Sequence, residues 1–97
     1  MNKSTLLKSP PKFTHVPLPG FPNETLCIKS VKRKVVKSWL TDEDADLNII
    51  LQCVVCDDEP HKPLLTAKEI GELDMAVWVS MRDAVLGVNG CNSNSGN

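Results

Sequence analysis

Cys53, Cys56 and His61 lie close together in the stretch CVVCDDEPHKPLLTAKE, and their side chains are the ones zinc prefers. A structural zinc site takes four such ligands, usually with a turn between paired cysteines that lets the backbone aim them. Here the spacers are Val54 and Val55, stiff β-branched residues with no glycine to promote that turn. Cys27, His15 or Cys91 would have to complete the set, and nothing in the sequence positions a second pair. A redox pair would need its first thiol at a helix N-terminus, where the dipole lowers the pKa. Both thiols are instead expected at a helix C-terminus. The sequence therefore reads the cysteines as small buried hydrophobes, with no metal and no cofactor. Cys53, Cys56 and His61 stand as the alternative, the ligands of a small zinc-stabilised adaptor or DNA-binding regulator.

Other reactive constellations are missing. There is no Gly-x-Ser-x-Gly, no glycine-rich phosphate loop and no His-Glu-x-x-His. The carboxylates fall at expected helix starts and in a loop, where helix capping and solvation account for them. The chain is expected not to be an enzyme.

A length of 97 residues suits one domain, and 41% hydrophobic with 24% charged residues is ordinary for a globular protein. No apolar run approaches the roughly 18 residues that span a bilayer. The opening MNKSTLLKSPPKF lacks the apolar stretch of a signal peptide. The expectation is a cytoplasmic protein, not held by a membrane, with free thiols.

The net charge of −1 conceals a division: residues 1–40 carry +7 and residues 41–97 carry −8. Halves of opposite sign can attract within one molecule, as solvated faces of one domain, or between neighbouring copies, and on the second reading a homo-oligomer is expected. Lys32, Arg33, Lys34 and Lys37 could neutralise phosphate, but the acidic second half and the lack of a nearby stacking aromatic argue for a solvated face and no nucleic acid.

The fold class expected is α+β, mainly α: a small N-terminal hairpin followed by three helices, at about 31–39, 42–56 and 67–88. Five prolines between Pro10 and Pro22 argue against helix over residues 1–24, so 1–12 reads as a flexible arm. THVPLPG and ETLCIKSV read as strands around a GFPN turn. Val31, Val35 and Trp39 share one helical face. Thr41 is a candidate N-cap for the next helix, with Asp42, Glu43 and Asp44 in its first turn. That helix is apolar on two faces, Leu47, Ile50, Leu51 and Val54 on one, Ile49, Cys53 and Cys56 on the other, which suits a central position.

The last helix carries the clearest punctuation. Thr66 and Glu69 fit a capping box, Leu65 and Ile70 a hydrophobic staple, and Asn89-Gly90 a left-handed stop. Its core stripe is Ile70, Leu73, Val77, Met81, Ala84 and Val88. Residues 13–90 make the single domain, and CNSNSGN (residues 91–97) reads as a disordered tail. On the back of the helix, Met75, Val79 and Leu86 form a second stripe flanked by Trp78, the candidate partner-binding surface, since Met and Trp suit protein interfaces.

The run from Cys53 to Asp58, then Lys62-Pro63-Leu64-Leu65-Thr66, Glu69-Ile70, Leu73 and Asn89-Gly90 resembles the small tail assembly chaperones of long-tailed (siphovirus-type) phages and prophages. The strand-like TLCIKSV feeding a helix is similar too, so the likeness spans about residues 24–90. It departs at the turn, where Asp58-Glu59-Pro60-His61 stands in place of the usual Asp-Gly. The resemblance implies a non-enzymatic chaperone of virion morphogenesis in the host cytoplasm. Its partners would be the tape-measure protein, kept soluble, and tail-tube subunits recruited around it.

Overall fold

The computed structural model describes residues 1–91, so of the expected tail over 91–97 only Cys91 lies within them. The hairpin forms as the turn chemistry predicts. Strands β1 (Phe13–Pro17) and β2 (Thr25–Lys29) pair antiparallel with Phe13 opposite Lys29 and Pro17 opposite Thr25. Pro17 ends an edge strand, where a missing N–H is tolerated. The reversal between the strands uses Gly20 and Asn23, both at positive φ, 89° and 68°.

A third strand, β3 (Val54–Val55), completes the sheet in the order β1-β2-β3, with Cys27 opposite Val55 and Ile28 opposite Val54. This corrects the expected helix over 42–56. The helix α3 spans Ala45–Cys53, and Val54 turns extended. Two successive β-branched residues favour a pleated partner over another helical turn, and β2 offers one. The chain then doubles back. Cys56 N–H donates to the Lys62 carbonyl at 3.0 Å and Leu64 N–H to the Val54 carbonyl at 3.0 Å, so residues 62–64 run beside β3.

At its other end α3 also starts late. Asp44, not Thr41, is the N-cap residue. The Asp42 carboxylate organises the approach, accepting from the Asp44 N–H at 2.9 Å and the Asn48 amide at 2.7 Å. Those bonds, the Asn48 one foremost, hold its carboxyl below the usual range.

The helix before it, α2 (Arg33–Ser38), lies within the expected span. Trp39 is buried, Val31 and Val35 pack against the core, and Lys32, Arg33, Lys34 and Lys37 face solvent. The buried indole is satisfied: Trp39 Nε1–H donates to Gln52 Oε1 at 2.8 Å.

The expected single helix over 67–88 is two helices, α4 (Ala67–Gly71) and α5 (Met75–Val88). Gly71 weakens the helix where it occurs, and Asp74 restarts it by accepting the Ala76 N–H at 3.3 Å. The expected core stripe survives the break: Ile70 and Met81 are buried, Leu73, Val77, Ala84 and Val88 pack against the core, and Val85 joins them fully buried. The capping box is present in both directions, with Glu69 N–H to Thr66 Oγ1 at 3.2 Å and Thr66 N–H to Glu69 Oε1 at 2.9 Å. The stop is a Schellman arrangement. Gly90 has φ 74°, its N–H donates to the Gly87 carbonyl at 3.2 Å, and the Cys91 N–H to the Leu86 carbonyl at 2.7 Å.

One further difference lies at the N-terminus. Residues Lys3–Leu7 form a one-turn helix, α1, capped by the Asn2 side chain. The prolines begin only at Pro10, so they never forbade it. The arm is also shorter than 1–12, because Lys12 already exchanges hydrogen bonds with Ser30 at the end of the hairpin.

All this amounts to an α+β fold with α3 and α5 packed on one face of the sheet. Val16, Leu26, Ile28 and Val54 point inward to α3 and α5. Ile28, Ile50, Cys53, Val54 and Val85 are the most deeply buried side chains. The other face of the sheet carries Phe13, His15 and Pro17 of β1, Cys27 of β2 and Val55 of β3, by strand alternation.

Candidate functional site

The break between α4 and α5 opens a cleft of about 470 Å³ against α3. Leu47 of α3, Ile70 of α4, Leu73 of the connection and Met75 and Trp78 of α5 form its apolar walls, and Asp44 and Asp46 add carboxylates. Both aspartates are exposed. Trp78 is fixed from two sides. Its Nε1–H donates to the Asp46 carbonyl at 3.2 Å, and the Arg82 guanidinium lies 5.2 Å from the ring centre. Met75, at the first position of α5, leaves 68% of its surface in solvent.

Of the four partner-surface candidates, then, Met75 and Trp78 share this cleft. Val79 and Leu86 fall on the same side of α5 as Met75, one and three turns along. They are only half-exposed, and Leu86 packs against the core. The apolar period of the helix pointed to Met75 and Trp78. What it could not indicate was the wall opposite, because Leu47 comes from another helix and the gap exists only where α4 and α5 part.

The alternative metal ligands Cys53, Cys56 and His61 are not gathered. Cys53 ends α3 inside the core. Burial pushes its thiol up to about 11, a Lys29 charge opposing and Cys91 reinforcing. Cys56 lies past β3 with its thiol 3.6 Å from the Pro63 carbonyl, and His61 is exposed in the loop. The strand at Val54–Val55 replaces the helical turn that would have kept both thiols on one side.

Among the described residues, the one group of three metal-ligating side chains is His15, Cys27 and Asp57, with ligand atoms all within 4.8 Å of one another. His15 Nε2 stands 3.0 Å from Asp57 Oδ1, both side chains largely in solvent. Cys27 beneath them is buried, and that burial, with the Asp57 charge second, raises its thiol pKa. No helix is long and apolar enough to cross a membrane among the described residues.

The chain matches no protein-family model, no curated protein and no solved structure.

Proposed function

We propose that this protein is a tail assembly chaperone that holds an amphipathic helix of a tape-measure protein in the cleft between α3, α4 and α5. The observation that carries the reading is the cleft itself: apolar walls from Leu47, Ile70, Leu73 and Trp78, an exposed Met75 at its mouth, and two exposed aspartates beside it. A helix laid in such a groove buries its apolar stripe, and its flanking basic residues meet the carboxylates. Methionine suits a surface that must accept successive, non-identical stripes along one long partner, because its unbranched side chain adapts. The order of turn and capping residues from Cys53 to Gly90 supports the same reading by resemblance.

In this account the protein does no covalent chemistry. It shields apolar surface on the tape-measure helix until tail-tube subunits replace it. The strongly basic first 40 residues and the acidic remainder favour ordered stacking of copies along that helix.

The test is co-purification of the chain with the tape-measure protein encoded beside it, wild type against Met75→Asp. Position 75 opens a helix, where a carboxylate is compatible with the dipole, so the variant keeps its fold. Loss of a buried anchor is expected to weaken binding by about 2 kcal/mol or more, roughly thirtyfold in Kd. Equal capture by Met75→Asp and Val79→Asp removes this surface, and a genome with no tape-measure gene nearby removes the reading.

A further inference from the structure

On the face of the sheet away from the helices, strand register sets a histidine, a cysteine and an aspartate around one point. His15 and Cys27 are direct partners across β1 and β2, and Cys27 is the partner of Val55 in β3. Asp57 follows Val55 by two residues, at the bend where the chain leaves β3, and its carboxylate reaches His15 Nε2 at 3.0 Å. The return segment holds it there, through the Cys56 N–H to the Lys62 carbonyl. The ligand atoms end within 4.8 Å of one another, one nitrogen, one sulfur and one oxygen.

We propose that His15, Cys27 and Asp57 bind a zinc-class divalent cation, with water in the fourth position. Bonds of roughly 2.0–2.3 Å in a tetrahedron put ligand atoms about 3.3–3.8 Å apart. The cluster needs only small side-chain rotations to reach that spacing, and His15 and Asp57 are free to make them, being 57% and 66% exposed. Their exposure also provides the entry path and the solvent-facing fourth position. Cys27 is buried on the face away from the helices, outside the core cluster to which Cys53 belongs, so its sulfur lies beside the His15–Asp57 pair. Its thiol proton leaves to solvent as the sulfur takes the metal, and no electron is transferred. The ion would pin β1, β2 and the loop after β3 together, closing a sequence separation of 42 residues between His15 and Asp57.

Untagged full-length protein titrated with cobalt(II), then with zinc, decides it. Expected are one cobalt per chain at micromolar concentration, a thiolate-to-cobalt charge-transfer band, displacement by zinc, and a rise in Tm with zinc. Cys27→Ser abolishes the band. Asp57→Asn, in an exposed loop where the fold does not depend on it, weakens binding by at least the about 10–100-fold that even outer-sphere partners contribute, and so does His15→Gln. Cys56→Ser leaves the titration unchanged. The proposal is overturned by no band at micromolar cobalt, by a band that survives Cys27→Ser, by a band lost in Cys56→Ser, or by affinity unaltered in Asp57→Asn.

Discussion

The side-chain carbonyl of Asn89, at the end of α5, accepts the backbone N–H of Val31 at 2.9 Å, while its amide donates to the Val85 carbonyl at 3.0 Å. One residue thereby caps its own helix and anchors the approach to α2, which lies 58 positions earlier. Asn89→Ala leaves the part-buried Val31 N–H without its acceptor, and about 1–3 kcal/mol of stability is expected to go with it. Asn89→Asp keeps an acceptor for Val31 but sets a negative charge against the Val85 carbonyl and the helix C-terminus, so its urea midpoint also falls below that of wild type.

Two glycines near the end of α5, Gly87 inside it and Gly90 just past its cap, answer a methyl group oppositely. At Gly90, φ is 74°, a conformation costing other residues about 1–2 kcal/mol, so Gly90→Ala destabilises by that amount. Gly87 lies within α5, and a Cβ there meets nothing within 4 Å. Gly87→Ala stabilises by about 0.5–1 kcal/mol through helix propensity. Thermal melts of the two variants separate them by sign.

Cys53 gives the fold an alkaline limit. Burial first, partly offset by Lys29 and reinforced by Cys91, lifts its thiol from 9.0 to about 11. The folded chain therefore holds this proton more tightly than the unfolded one. The resulting stabilisation is complete below pH 9 and is lost as pH rises toward 11. Urea midpoints are expected to fall between pH 8 and pH 10.5, and to fall less in Cys53→Ala. In the native protein a thiol reagent modifies Cys56 and Cys91 ahead of the buried Cys53.

Local chemistry was readable wherever a side chain served its own backbone neighbours. Thr66 and Glu69 cap α4, Gly90 ends α5, and the proline- and glycine-rich turn sets the hairpin, all within a few residues. The strand at Val54–Val55 was not readable, because its pairing partners, Cys27 and Ile28, lie in the distant hairpin. Nor was the interruption at 72–74, where Leu73 keeps the apolar period running through a break that Asp74 imposes. The same distinction divides the sites. Met75 and Trp78 follow from helical spacing, but His15, Cys27 and Asp57 meet only through strand register. The zinc alternative took the cysteines nearest in sequence, whose backbone carries them apart.

The hairpin leaves the ribosome well before its cover does. Val16, Leu26 and Ile28 can line up as soon as residue 29 is free, but α5, which packs on β2, ends at Val88. At roughly 5–20 residues per second, the cover that α5 gives this sheet face follows that of α3 by a few seconds in every translation. The core therefore closes only when α5, the last helix in the chain's order, packs onto β2 and α3.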